Sequence, residues 1–321
     1  MSETHDTSDG RDANEPSGLL DALGDGFLGA GTRRLPQFDE IPRWARVANV
    51  PDLELPAVPR LRARRATGPI VVDGALKESD WETAEWSPVF GRIASGVPSS
   101  PATQVAFLWD DEALYAGYRV EHHDIRGTTT RHHEHVYVKD DDVELFVAGA
   151  GTYYELGINP INTIYEIGWT WLEPLVRAAD FDALERLMLV NDQFYYARRD
   201  GERLGRVADL GWELPGLRTA VRVDGAINAP DVRDEGWTVE FALPWAGLAT
   251  HIPELAGPRA VGDRVMIQAY RAHHPRTDPA ADARMATQFA GSSEWFGTTL
   301  SAMGNGNVHN PERWVRLELA A

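Results

Sequence analysis

The chain has 321 residues, a net charge of −18 at pH 7, 43% hydrophobic and 25% charged residues, and no cysteine. This composition supports a globular core, and the missing cysteines exclude disulfides, zinc–thiolate sites and a cysteine nucleophile. The negative charge argues against nucleic acid or an anionic membrane as a partner, because both attract basic proteins. Neither a signal peptide nor an apolar run of about 20 residues is visible, so we expect a cytoplasmic protein.

The first 65 residues differ in character from the rest of the chain. Residues 1–34 are polar and acidic at their start, which predicts a disordered or weakly ordered tail. In residues 35–65, five prolines forbid long regular structure, while apolar side chains stand between them. We therefore predict that residues 35–65 form an extended, proline-rich arm that packs on the domain formed by residues 66–321.

From residue 66 onwards, short alternating segments bounded by turn residues predict many β-strands. An acidic turn, Asp110-Asp111-Glu112, joins two of them into a predicted hairpin. Apolar residues at helical spacing after Tyr165 predict a helical insert over about 170–215. The predicted fold is therefore mainly β, an antiparallel two-sheet, jelly-roll-like β-sandwich. Its predicted strands cover residues 70–72, 103–109, 113–120, 143–147, 153–159, 219–228, 236–243, 264–271 and 314–319.

A set of short motifs follows in order over roughly residues 66–319, and together they carry a family resemblance. The motifs are Ile70–Gly74 with Trp81, Leu108–Asp111 with Leu114 and Tyr115, Asp142–Phe146, Tyr153–Glu155 with Asn159, Gly236–Glu240 with Pro244 and Trp245, Gly262–Asp263, and His309–Trp314. In this order they resemble the carbohydrate-binding module family 9-like (DOMON-like) sandwiches. The resemblance implies a two-sheet sandwich that clamps a sugar between two tryptophans, often with structural calcium nearby.

Compared with the family position by position, the sugar clamp is missing. Val138 and Val308 stand where the resemblance leads us to expect tryptophan, and Gly157 stands where it leads us to expect arginine. Since stacked aromatic faces contribute apolar contact to sugars, we expect low affinity for a simple sugar unless other aromatic residues replace the clamp, for which Trp169, Trp171, Trp295 and Tyr137 are the candidates. Glu144 and Asn305 do match family binding positions. The predicted ligand contacts are Glu144, Asn305, Tyr137, Trp169, Trp171, Arg271 and Trp295.

Histidines concentrate in two loops, residues 121–141 and 272–313, which the family's layout places at the same rim. Histidine is both a common metal ligand and an acid–base group near neutral pH. We predict a divalent-metal site with His133, His135 and His274 as ligands for a transition metal, or calcium bound with help from the run Asp140–Asp142. The catalytic candidates are His133, His135, His274 and His309. A solvated polar loop fits the same pattern.

Three functions are compatible with these residues. The first is a protein that holds a sugar, or another polyhydroxylated or glycosylated small molecule, at the histidine-rich rim. The second is a stand-alone enzyme on the same scaffold, with a histidine-lined and metal-assisted pocket for a small molecule. The third and weakest is a b-type haem protein with His309 or Met303 as an axial ligand.

Overall fold

One continuous sheet of fourteen strands, folded over on itself, dominates the part of the chain that the structure describes. The structure is a computed structural model, and it describes residues 55–178, 180, 182–183, 194–195, 206–273, 297–304 and 308–321. The predicted acidic tail and most of the predicted arm lie outside these residues. His274, Trp295 and Asn305 lie outside them as well.

The strands are short and are joined mostly by tight turns. They are β1 (Arg62–Arg65), β2 (Gly91–Arg92), β3 (Thr103–Trp109), β4 (Ala113–Glu121), β5 (Asp142–Ala148), β6 (Thr152–Ile158), β7 (Ile164–Trp171), β8 (Phe194–Tyr195), β9 (Arg206–Asp209), β10 (Arg218–Asp224), β11 (Gly236–Pro244), β12 (Arg264–Ala272), β13 (Gly297–Thr299) and β14 (Val315–Ala320). The helices of the described part are α1 (Ser79–Thr83), α2 (Leu172–Arg177) and α3 (Trp245–Leu248). Three 3-10 turns cover Val136–Val138, Pro253–Leu255 and Pro311–Arg313.

The strands follow the order β10-β11-β4-β3-β1-β14-β12-β5-β6-β7-β9-β8, and β13 pairs with β12 and β2. Strand β1 runs parallel to both of its neighbours, β3 and β14, and it joins the two halves of the sheet. The other pairings are antiparallel. The predicted mainly β sandwich is confirmed, with a mixed sheet at β1. Residues 62–65 belong to the segment predicted as an arm, and the structure includes them in the sheet.

The core lies between the two halves of the sheet. Alternate residues of each strand point to this side, since successive side chains of a strand face opposite ways. Each fully buried aliphatic or aromatic side chain contributes about 1.5–3 kcal/mol relative to exposure. The cluster includes Val105, Phe107 and Trp109 of β3, Val239 and Phe241 of β11, Leu145 and Val147 of β5, Leu156 of β6, Ile267 of β12 and Leu317 of β14.

A second cluster covers the opposite, outer face of β5, β6 and β7. It contains Phe146, Tyr153, Tyr165, Ile167, Trp169 and Trp171, packed against Val136, Met303, Val308 and Trp314 from neighbouring loops. An antiparallel sandwich sheet commonly leaves its outer face to water. These three strands are instead buried on both faces, which explains why β5 and β6 are rich in apolar residues without clean alternation.

Two local predictions differ from the structure. Residues 70–72 are not in a strand, because the backbone N–H of Val71 donates to Glu78 and those of Asp73 and Gly74 donate to Glu240. Strand β7 lies where we expected the helical region to begin. Within the predicted insert, the described residues form the six-residue helix α2 and the strands β8 and β9. Among the residues with described structure, no helix has the length and apolar character needed to cross a bilayer.

Candidate functional site

The outer face of β12, β5, β6 and β7 carries rows of polar and aromatic side chains that the sheet register brings together. We call Tyr137, Glu144, Glu155, Tyr165, Trp169 and Tyr270 the outer-face patch. Because side chains at alternate positions share a face, paired residues of these strands form rows on this side. The rows are Tyr270–Glu144–Gly157–Tyr165, then Gln268–Phe146–Glu155–Ile167, then Met266–Ala148–Tyr153–Trp169.

Two glycines make room for the tyrosine rings of the patch. A Cβ atom on Gly157 would lie 2.0 Å from Cε1 of Tyr165, so this ring lies directly over Gly157. A Cβ atom on Gly297 would lie 2.6 Å from Cε2 of Tyr270. The space above Gly157, where the resemblance leads us to expect an arginine, is therefore filled by a tyrosine from the next strand.

Glu155 is the centre of the hydrogen bonds in the patch. Its Oε2 accepts from the indole N–H of Trp169 at 2.6 Å, and its Oε1 accepts from the Tyr165 hydroxyl at 3.1 Å. Burial raises the pKa of Glu155 to about 7, although the hydrogen bonds and the charge of Arg206 act in the opposite direction. This carboxyl therefore changes its charge near neutral pH.

Glu144 and Asp142 lie beside Glu155 and are also buried. Burial, together with the negative charges of neighbouring carboxyls, raises the pKa of both groups well above the usual range. Asp142 Oδ1 accepts from the Ala272 N–H at 3.0 Å, while its Oδ2 has no hydrogen-bond partner within the described structure. Both carboxyls therefore hold a proton more tightly than an exposed acid does, and a protonated carboxyl donates one hydrogen bond and accepts others.

The accessible edge of the patch is aromatic. Tyr137, Tyr270 and His135 are half-buried, whereas Tyr165 is fully buried beneath them. His135 Nδ1 lies 3.1 Å from the Tyr137 hydroxyl, and the His135 ring lies 5.4 Å from the Tyr137 ring and 5.3 Å from the Tyr165 ring. Burial lowers the pKa of His135. Tyr270 also pairs with Glu144 across β12 and β5, so half-buried rings border the buried carboxyl groups.

The tryptophans predicted to replace the missing clamp are buried. Trp169 and Trp171 are only 2% and 1% exposed. The Trp169 ring stacks on Tyr153 at 5.7 Å, and the guanidinium of Arg206 lies 4.5 Å from the Trp169 ring and 5.9 Å from the Trp171 ring. The spacing by two does place both on one face of β7. In this structure, however, they support the patch from below and do not form open stacking surfaces.

Other predicted site residues have structural contacts away from the accessible edge. Arg271 is buried and donates to Thr103 Oγ1 at 2.8 Å, and burial lowers its pKa to about 10. His309 Nδ1 lies 2.9 Å from the Tyr153 hydroxyl, and burial holds the pKa of His309 well below its ordinary value. The Met303 sulfur accepts from Gln268 at 3.7 Å. The haem hypothesis, which uses His309 or Met303, stays a prediction.

The histidines of the described residues separate into several environments. Two groups bring three metal-capable atoms within 4.8 Å of one another, namely His122, Asp141 and His273, and His132, His133 and Glu213. His133 contacts Glu213, whereas His135 faces Tyr137, so these two predicted ligands of one metal have different neighbours. His123 contacts the Asp234 carbonyl, and His309 contacts the Tyr153 hydroxyl. The enzyme hypothesis also stays a prediction.

The acidic run before β5 performs three different tasks. Asp140 accepts hydrogen bonds from Thr128, Thr129 and Asn159, Asp141 lies beside His122 and His273, and Asp142 is a buried acid. Calcium needs several oxygen ligands directed at one point. As the structure describes them, the three carboxyls face different partners, so their sequence proximity does not create an oxygen cage.

Three residues of the patch were not predicted from the sequence, namely Glu155, Tyr165 and Tyr270. Glu155 had a local signal, because it is an acidic residue inside the strand TYYELGI, whose other residues are mostly apolar. The two tyrosines had none, since only the pairing of β12 and β7 with β5 and β6 places them beside Glu144.

Comparison with known proteins supports the fold. A scan against protein-family models finds no match, and a search of curated proteins finds no relative. Among solved structures, the chain is similar to a protein from Bacteroides uniformis that has been proposed to be carbohydrate-binding, with 14% identity, a TM-score of 0.51, and coverage of 81% of this chain and 98% of that chain. It is also similar to family 9 carbohydrate-binding modules from Caldicellulosiruptor kristjanssonii. The module in complex with cellotriose has 14% identity and a TM-score of 0.45, with coverage of 82% of this chain and 94% of that chain. The module in complex with glucose has 14% identity and a TM-score of 0.44, with coverage of 81% of this chain and 97% of that chain. The resemblance inferred from the sequence is confirmed at the level of the fold, a β-sandwich shared with the Bacteroides protein.

Proposed function

We propose that the protein binds a sugar or another polyhydroxylated small molecule at the outer-face patch. The observation that carries this proposal is that two buried carboxyl groups, Glu144 and Glu155, lie in neighbouring rows of the sheet beside half-buried aromatic rings, and burial raises the pKa of both. A protonated carboxyl donates and accepts hydrogen bonds, as a sugar hydroxyl does. Aromatic rings supply the apolar contact that sugar C–H groups need.

Two further observations support this assignment. The family resemblance implies that Glu144 contacts the ligand, and Glu144 lies in the first row of the patch beside Tyr270. The Bacteroides uniformis protein, which shares the sandwich fold, has itself been proposed to be carbohydrate-binding. His135 lies at the edge of the patch, so part of the predicted histidine-rich rim would border the ligand.

Glu166 provides a matched control for a binding experiment. It is a buried acid of the same sheet with a raised pKa caused by burial, but it accepts from the Tyr154 hydroxyl and the Leu214 N–H on the core side. Calorimetric titration with a panel of mono- and oligosaccharides would compare the wild type, Glu144→Met and Glu166→Met, because methionine is of similar size and removes both the donor and the acceptors. We expect Glu144→Met to weaken binding by about tenfold, the effect of about one lost hydrogen bond.

Glu166→Met should retain the affinity of the wild type. Two outcomes contradict the proposal. One is the absence of binding by the wild type at millimolar concentrations of every saccharide. The other is equal weakening by Glu144→Met and Glu166→Met, because that result would trace the effect to the stability of the sheet and not to the patch.

A further inference from the structure

We propose that His132, His133 and Glu213 form a binding site for a first-row transition-metal dication such as Zn²⁺. The two histidines lie in the loop between β4 and β5, and Glu213 lies between β9 and β10. Nε2 of His132 lies 3.2 Å from Glu213 Oε1, and Nε2 of His133 lies 3.1 Å from the same oxygen. The site is independent of the proposed sugar function.

The spacing of the three ligand atoms fits a metal ion. Zinc binds imidazole nitrogen at about 2.0–2.1 Å and carboxylate oxygen at about 2.0–2.2 Å. At these bond lengths, neighbouring ligand atoms are about 3.3 Å apart around a tetrahedral ion and about 3.0 Å apart around an octahedral one. The observed N···O distances of 3.1 and 3.2 Å lie between these values. An ion can therefore enter between the three groups with small side-chain movements.

The backbone of His133 supports the same conclusion. His133 has φ of 64°, in the left-handed region that non-glycine residues rarely adopt, and its N–H donates to the Ile164 carbonyl at 3.0 Å. In this conformation the rings of His132 and His133 lie 4.1 Å apart and present the same ring nitrogen to one oxygen. Such a conformation persists when its surroundings hold it, and it is often found where a functional site requires it.

Accessibility and charge distinguish this trio from the other histidine group. The side chains of His132 and Glu213 are 47% and 61% exposed, so metal and additional water ligands can reach them. In the group of His122, Asp141 and His273, the Arg271 guanidinium lies 3.4 Å from Nδ1 of His273. A buried guanidinium repels a second cation at that distance. The second group therefore serves as a control.

A bound ion would also connect two segments at the edge of the outer-face patch. It would join the loop between β4 and β5 to the segment between β9 and β10. His135, two residues after His133, contacts the rings of Tyr137 and Tyr165. The expected role of the metal is therefore structural, since it holds this loop beside the patch.

Titration of the metal-free full chain with ZnCl₂, followed by calorimetry, tests the proposal. We expect the wild type to bind Zn²⁺ at this site with micromolar affinity and to melt about 5 °C higher at saturation. Glu213→Gln, which keeps both histidines, should weaken this binding by about 10- to 100-fold or more, the range seen on losing even a residue that only orients a ligand. His273→Ala should bind as the wild type does.

Several results would overturn the proposal. If His132, His133 and Glu213 only form an ordinary surface hydrogen-bonded contact, the wild type should bind no Zn²⁺ at concentrations up to about 100 micromolar. If Glu213→Gln binds Zn²⁺ with the same affinity as the wild type, Glu213 is not a metal ligand and the proposal is also wrong. Loss of binding in His273→Ala with retention in Glu213→Gln would transfer the site to the buried group. A circular dichroism spectrum of each variant, compared with the wild type, separates loss of a ligand from loss of folding.

Discussion

The loop between β4 and β5 depends on one buried carboxylate, Asp140. Asp140 Oδ1 accepts from the N–H and the hydroxyl of Thr128 at 2.8 and 2.7 Å, and its Oδ2 accepts from the Thr129 N–H and from Asn159 Nδ2, each at 2.8 Å. These bonds lower the pKa of Asp140 even though burial acts in the opposite direction. We predict that removal of this carboxylate in Asp140→Ala releases the loop from the end of β6.

The expected magnitude follows from the four bonds. A hydrogen bond to a charged group contributes about 1.5–3 kcal/mol, and an unsatisfied buried donor costs about 1–3 kcal/mol. The four donors share one acceptor group and are not additive, and the loop can relax so that some of them reach water. We therefore expect Asp140→Ala to lower the free energy of unfolding by about 3–5 kcal/mol. Asp140→Asn should cost about 2–3 kcal/mol, because its new N–H₂ group faces donors.

Urea unfolding followed by tryptophan fluorescence measures these differences. The matched control is Asp111→Asn, which removes an exposed carboxylate that pairs only with Arg65 among its described contacts. Exposed ion pairs contribute about 0–1 kcal/mol, so the control should unfold near the wild-type midpoint. If Asp140→Ala changes the free energy of unfolding by no more than Asp111→Asn does, the carboxylate does not hold the loop and the reasoning fails.

Three further predictions concern the outer face. The unfolded chain ionises Glu155 near pH 4.5, but the folded pKa is about 7, so stability is lost as pH rises between these values. Glu155→Gln should reduce this loss in thermal melts, and the remainder is expected from Glu144 and Asp142, whose pKa values are also raised. An unchanged pH profile would contradict the prediction. The folded pKa of His309 lies far below 6.5, so wild-type stability falls as pH drops below about 6.5, and urea midpoints of His309→Gln should fall less. Gly157→Ala would place Cβ 2.0 Å from the Tyr165 ring and should lower the free energy of unfolding by about 1–3 kcal/mol. The displaced ring should also alter the near-ultraviolet circular dichroism spectrum, and a wild-type spectrum would refute this packing of Tyr165 on Gly157.

Much of the sandwich could be predicted because its strands carry local signals. The turn Asp110–Glu112 separates two apolar runs, and the structure forms the hairpin of β3 and β4 there. Strands β5, β11 and β12 also lie where short apolar segments end at turn residues. In each case the pattern of apolar residues and the turn chemistry indicate the same structure.

Strands β1 and β7 had weak or misleading signals. The sequence of β1, RARR, contains one buried residue, Ala63, and its pairing with β3 and β14 depends on segments far away in the chain. Strand β7 is buried on both faces, so it lacks the alternation that identifies a half-exposed strand, and apolar residues at helical spacing follow it directly. Sequence periodicity cannot separate these cases, because it reports one exposed and one buried face.

In the candidate site too, a residue within a local motif could be predicted, whereas its neighbours from distant strands could not. A family motif identified Glu144, but the environment of Glu144 is created by residues from β6, β7 and β12. Gly157, which stands where the resemblance leads us to expect an arginine, allows the ring of Tyr165 to lie over the sheet next to the acids. A guanidinium at that position would lower the pKa of the neighbouring carboxyls, whereas in this structure burial is the largest cause and raises the pKa of Glu144 and Glu155. Glycine at position 157 therefore leaves room for a buried aromatic ring where the resemblance implies a cation, and only the pairing of β6 with β7 shows that this ring belongs to Tyr165.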